Sequence, residues 1–297
     1  MSRLIAGQMR INSLPEQDAF RFLSHALEKG VNHFDHADIY GNGECERIFG
    51  RWLAAGHIDR EKVVIQSKCG ICLNGGNTYY DNSGEYIIRS VDQILSRLNC
   101  GYLDNFLIHR PDALMDAEDI ARAFTLLKEQ GKVKHFGVSN FNPAQISYLK
   151  TALPMPVEFN QMQLSLAFAP MISEGLETNT YSSNGLSRSQ GILDYCRASG
   201  ITMQIWSPLQ FGTFAGNFIN HPDYWNLNNE LQQTADRHQV AKSAVAVAWI
   251  LKINPSMQVL SGTCNISHFD EMFQGTAIDL TREEWYRLYK AAGYSLP

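Results

Sequence analysis

Two rhythms of apolar residues alternate along this chain. Short, nearly continuous apolar runs read as strands at Leu4–Ala6, Val31–Phe34, Val63–Ser67, Asn105–Ile108, His135–Val138, Val157–Asn160, Thr202–Trp206 and Gln258–Leu260. Between most of them the spacing becomes helical. Tyr86, Ile87, Ser90, Val91, Ile94, Leu95 and Leu98 fall on one face at i, i+3, i+4, i+7. Ile120, Ala123, Phe124 and Leu127 repeat this after Asp116, a residue suited to capping a helix N-terminus. Pro143 fits the first turn of a helix reaching Lys150. Asn254–Pro255 ends an Ala/Val-rich helix that starts near Lys242, and the Trp285–Leu288 stretch packs a C-terminal helix.

Strands that alternate with helices predict βα units and a parallel sheet. Eight such strands, with no linker and no strong internal repeat, predict a single-domain (β/α)8 TIM barrel over residues 1–297. A doubly wound open sheet would carry G-x-G-x-x-G after its first strand, and none stands there. Two stretches read as long loops, Ser165–Gln190 and Gln210–Asn229. The second carries Phe211, Phe214, Phe218, Tyr224 and Trp225, too aromatic for simple disorder. Asn74-Gly75-Gly76-Asn77 reads as a flexible turn.

Composition narrows the function classes. The chain has 297 residues, 44% hydrophobic and 19% charged, with a net charge of −5 and no long run of either sign. Neither nucleic acid nor a membrane is expected as the main partner. The apolar stretch at the N-terminus is too short for a signal peptide, and the reading is cytoplasmic. Six scattered cysteines do not make a disulfide scaffold, and the Cys69/Cys72 C-x-x-C has no second pair to complete a zinc site. His33 and Asp35 share a strand face while His36 points away, so no metal site is expected.

The candidate chemistry lies at the strand ends. Asp35 closes one strand and a short turn follows it to Tyr40; Lys68 and His109 each follow another strand. In a parallel barrel these ends form the active face. An Asp, a Tyr, a Lys and a His converging there can protonate a carbonyl oxygen. The Lys cation favours the phenolate, the Asp holds the Lys, and the His bonds the substrate oxygen.

The segments that carry these residues resemble the aldo-keto reductases almost end to end. N-H-F-D-H-A-D-I-Y-G looks like the family segment with the catalytic Asp35 and Tyr40, Q-S-K-C-G like that with Lys68, and D-N-F-L-I-H-R-P like that with His109. The resemblance implies an NADP(H)-dependent oxidoreductase that reduces aldehydes or ketones, with Tyr40 as general acid and a small carbonyl compound as substrate. It implies that Ser139, Asn140 and Gln161 hold the nicotinamide carboxamide and that Trp206, opening Trp206-Ser207-Pro208-Leu209, stacks on the ring. Ser261, Gly262, Thr263 and His268 fall where the family binds the adenosine phosphate. His268 stands in place of a common Arg and Met272 in place of a common Asn. A His carries little positive charge at neutral pH, so NADP is expected with NAD as a weaker alternative. Lys242 and Arg237 are candidate extra phosphate contacts. A non-catalytic NADP-binding regulatory subunit of the same fold is the alternative. A Schiff-base aldolase using Lys68 is a third reading, and it leaves the nicotinamide contacts unexplained.

Overall fold

The computed structural model describes all residues except 1, 57, 182, 213, 214 and 297. Phe214 therefore lies outside the described residues. All eight expected strands form, and each ends within a few residues of its expected position. They are β1 (Leu4–Gly7), β2 (His33–Asp35), β3 (Val64–Cys69), β6 (Leu103–Ile108), β7 (Val133–Ser139), β8 (Phe159–Gln163), β9 (Thr202–Trp206) and β10 (Gln258–Ser261). They make a closed parallel barrel in the ring order β1-β10-β9-β8-β7-β6-β3-β2. The chain divides into two compact units, one holding Met1–Gln161 and Gly262–Cys264, the other Met162–Ser261 and Asn265–Pro297.

In the first unit the helices are α1 (Glu16–Glu28), α2 (Glu44–Ala55), α3 (Gly84–Leu98), α4 (Ala117–Glu129) and α5 (Pro143–Lys150). Their starts are chemically specified. Asp116 accepts the backbone N–H groups of Glu118 and Asp119 at the head of α4. Asn142 and Gln145 cap α5 reciprocally, with Pro143 in the first turn. One face of each strand packs on these helices: Phe34 lies 5.1 Å from Phe49 and 5.6 Å from Trp52, and Phe106 meets Phe124 at 6.0 Å. Side chains alternate along a strand, so the residues between these point to the barrel interior. His33, Asp35, Gln66, Lys68 and Asn105 occupy that interior face and bond to one another, as described below.

The turn expected at 74–77 is the tip of a hairpin that sequence reading missed. β4 (Ile71–Asn74) pairs antiparallel with β5 (Asn77–Tyr80), and Gly75 and Gly76 take positive φ between them. Its base is tied to the strand end after β6, since Asn82 Nδ2 donates to the Arg110 carbonyl at 2.9 Å.

The second unit corrects the two long-loop expectations. Residues 165–190 contain α6 (Pro170–Leu176), which begins on a proline, and a short 3-10 turn, Ser183–Gly185, before α7 (Ile192–Ser199). The buried Glu174 of α6 accepts the backbone N–H groups of Arg188, Ser189 and Gly191 at 2.8–2.9 Å, which folds this stretch back onto the helix. The aromatic stretch after β9 is half structured, because α8 (Trp225–His238) begins at Trp225. Phe211 stacks on Tyr224 at 5.2 Å. α9 (Lys242–Leu251), α10 (Ile266–Gln274) and α11 (Arg282–Ala291) complete the unit. A column of rings runs through it: Trp249 on Trp285 at 4.8 Å, Trp285 on Tyr289 at 5.7 Å, Tyr289 on Tyr294 at 4.7 Å. The hydroxyl of Tyr294 accepts the Ala169 N–H at 2.8 Å, fixing the C-terminal segment to the head of α6.

Candidate active site

Parallel pairing of β2 with β3 sets Asp35 opposite Gln66, one pleat from Lys68. Lys68 is fully buried, and its Nζ donates to both Asp35 oxygens at 2.7 Å and to the His36 carbonyl at 2.7 Å. Burial pushes the ammonium below its ordinary value, and the Asp35 carboxylate pulls it back up.

A tight turn follows Asp35. Its backbone is pinned by Asp38 N–H to the Lys68 carbonyl and Tyr40 N–H to the Ala37 carbonyl, both at 3.0 Å. Gly41, Asn42 and Gly43 then take positive φ of 56°, 52° and 81°, which reverses the chain into α2 and leaves Tyr40 on the turn. The Lys68 Nζ lies 5.4 Å from the centre of the Tyr40 ring. His109, whose N–H bonds the Cys69 carbonyl at 2.8 Å, presents its ring edge-on to Tyr40 at 6.0 Å. Burial, and then the Lys68 charge, hold His109 well below the usual imidazole range, so it is neutral at pH 7 and has one ring N–H to donate.

The expected lowering of Tyr40 by Lys68 is not what this geometry produces. Burial raises Tyr40 well above the usual phenol value, and Asp35 adds to the rise. No lowering by Lys68 outweighs these two effects. Tyr40 therefore holds its proton at neutral pH.

Ser139 ends β7 and its hydroxyl donates to the Gln161 carbonyl at 2.9 Å; Asn140 Nδ2 donates to that hydroxyl at 2.8 Å. Asn140 takes a left-handed φ of 62°, a region that Asn enters more readily than other non-glycine residues. Gln161 Nε2 donates to Asp35 Oδ1 at 3.0 Å, so an amide expected to face a cofactor also touches the carboxylate of the candidate site. One hydroxyl and two carboxamides on adjacent strand ends are a donor and acceptor set suited to a carboxamide ligand. Gly262 and Thr263 also belong to this unit, and Arg10 Nη1 donates to the Gly262 carbonyl at 3.1 Å.

The remaining expected cofactor residues lie in the second unit. Trp206 ends β9 half-buried, Ser207 takes φ 51° and bonds Gln210, Pro208 is buried, and the Leu209 carbonyl accepts the Phe218 N–H. Ser261 is buried and its hydroxyl turns to the Met272 sulfur at 3.4 Å. His268 is exposed in the first turn of α10, where Asn265 caps its N–H at 3.1 Å. Arg237 is held by Glu284 and Glu230, and Lys242 bonds Asn220.

Two features escaped the sequence reading. Gln66 and Asn105 join Asp35 in an interior chain of side chains. Glu46 receives the Ser67 hydroxyl at 2.7 Å and Arg97 at 2.6 Å on the opposite face of β3. Polar residues inside apolar strand runs were the available signal for the first. Cys69 and Cys72 are buried free thiols. His36 packs edge-on to Phe49 at 4.6 Å, on the opposite face of the strand from His33.

Against known proteins, residues 3–292 match the model of the Aldo/keto reductase family. The oxidoreductase YdhF of Escherichia coli is 33% identical over 304 residues, covering 100% of this chain and 95% of that protein. A 6-dehydroglucose reductase of Agrobacterium fabrum is 31% identical, covering 98% and 94%. Among solved structures, the glycerol dehydrogenase AKR11B4 from Gluconobacter oxydans superposes with a TM-score of 0.79 at 23% identity, covering 98% of this chain and 91% of that one.

Proposed function

This chain belongs to the aldo/keto reductase family of oxidoreductases, and on that premise we propose that it reduces aldehyde or ketone carbonyls to alcohols with NADP(H), using Tyr40 as general acid. The observation that carries the reading is the buried Lys68–Asp35 pair behind a protonated Tyr40, with the His109 ring 6.0 Å away. A bound nicotinamide would supply the hydride. The chain's own residues would do the rest. Ser139, Asn140 and Gln161 would orient the carboxamide, and Trp206 with Ser207, Pro208 and Leu209 would flank the nicotinamide. Gly262, Thr263, Ser261 and His268 would serve the adenosine phosphate. The neutral His109 would donate a hydrogen bond to the carbonyl oxygen, an oxyanion-hole role. Tyr40 would deliver its proton to that oxygen as negative charge develops there.

NADPH is preferred over NADH in this reading, by less than an Arg at position 268 would confer. Carbonyl sugars enter the substrate range on the likeness to the 6-dehydroglucose reductase. The test is a cofactor-oxidation screen of aldehydes, ketones, quinones and carbonyl sugars with both cofactors. Turnover that is faster with NADPH supports the reading. Cofactor binding without turnover of any of these classes overturns it in favour of a regulatory cofactor-binding protein.

A further inference from the structure

The barrel interior behind Asp35 carries polar side chains where branched apolar ones are usual. Gln66, Asn105 and His33 are 0%, 1% and 0% exposed. Burying amides and an imidazole costs stability unless they are bonded, and apolar residues would fill the same space without that demand. The three form a directed chain. Asn105 Nδ2 donates to Gln66 Oε1 at 3.1 Å and lies 3.4 Å from His33 Nε2. Gln66 Nε2 then donates to Asp35 Oδ1 at 2.6 Å. A carboxylate can only accept, so the Gln66 amide must present its nitrogen there. Asn105 enforces this by holding the Gln66 oxygen on the other side. Burial lowers His33 to about 4, so its ring stays neutral beside both Asn105 and Gln66.

Asp35 Oδ1 therefore receives three donors, from Gln66, Lys68 and Gln161. We propose that Gln66, oriented by Asn105, is a positioning residue that spreads the Asp35 charge and thereby keeps Tyr40 an effective acid. The proposal rests on the reductase reading above. Without the Gln66 donor the carboxylate charge concentrates, and a negative charge facing Tyr40 weakens it as an acid. The other groups facing Tyr40 are Lys68, His109, Cys45, Arg110 and Arg10, and the substitution leaves all of them in place.

The variant is Gln66→Met, which keeps length and removes the amide. Its kcat is expected to fall roughly three- to tenfold, following the weaker acid. Its basic pH limb should move upward, and cofactor affinity by fluorescence titration should stay at the wild-type value. In an Asp35→Asn background the same substitution should have no further effect on kcat. An unmoved limb, or equal effects in both backgrounds, makes Gln66 a space-filling residue and overturns the proposal. If Gln66→Met fails to fold, the side-chain amide NMR spectrum of the wild-type protein decides. A downfield, slowly exchanging Gln66 NH2 signal that moves in Asp35→Asn supports the assignment, and its absence overturns it. Wild-type turnover is recorded first: its absence removes the reductase reading, whereas turnover with an unmoved limb removes only the role of Gln66.

Discussion

At the scale of single residues, the site rests on one buried ion pair. Replacing Tyr40 by Phe keeps the ring that His109 meets edge-on and removes the proton. Turnover should fall at least about 10²-fold, the lower range for a general acid, with NADPH affinity unchanged. Wild-type turnover in that variant would take Tyr40 out of the mechanism. Lys68→Met should do two things. It strands Asp35 as a buried, uncompensated charge, a loss of about 3–5 kcal/mol in unfolding free energy by urea titration. It also exposes Tyr40 to that charge, so the basic limb of the rate profile should rise. An unmoved limb would dissolve the Lys68–Asp35–Tyr40 coupling. The members of this group were legible in the sequence because each closes or follows an apolar run, and a parallel barrel collects such ends. Gln66 and Asn105 were not. Strand alternation puts Gln66 on the face of Lys68, but which side chains it bonds is set by the pairing of neighbouring strands, which the sequence does not show.

At the scale of elements, the barrel strands and the long amphipathic helices follow directly from the hydrophobic pattern. The β4–β5 hairpin does not, because all four residues of β5 are exposed and leave no one-sided alternation to read. Only its Asn-Gly-Gly-Asn turn is visible. The 165–190 segment is held by a long-range polar anchor rather than an apolar face, so periodicity passed over α6. Glu174→Ala should release that anchor. Losing three charge-assisted bonds to backbone N–H groups destabilises the local fold by roughly 2 kcal/mol or more, and tryptic cleavage after the exposed Arg188 should accelerate. Unchanged cleavage would mean the segment holds itself. The head of α10 gives the second expectation at this scale. Its first-turn N–H groups suit an anion, and Arg237 is engaged with Glu284 and Glu230 in the same unit. His268→Arg should therefore tighten NADPH over NADH by roughly 10- to 100-fold, the worth of a charged hydrogen bond. Direct titration of both cofactors checks this, and an unchanged affinity ratio would place His268 away from the 2′-phosphate.

For the whole molecule, buried ionisable groups set the response to acid. Burial holds His33 near 4 and His36 near 3, and holds His109 low as well. Between pH 6.5 and those values the unfolded chain binds protons that the folded chain refuses, so folded stability drops as pH falls. Asp38, raised to about 7 by burial and by Glu46, acts in the opposite sense, as does the raised Glu46. There the folded state keeps protons that the unfolded state has released, and this contribution is lost as pH rises. The three histidines outweigh the two carboxyls, so unfolding free energy should decrease as pH falls from 6.5 toward 4. Urea titrations across that window measure it, and constant or rising stability toward pH 4 would contradict the assignment of neutral buried histidines. All five groups lie in the unit that carries β1–β7. The ring column of the other unit supplies an independent optical handle. Trp249 and Trp285 stack 4.8 Å apart at 8° between planes. Indoles this close mix their electronic transitions, so their exciton signature in circular dichroism reports the second unit alone. Followed beside Trp52 of α2, which belongs to the first unit, it would reveal whether acid melts the two halves together or in sequence.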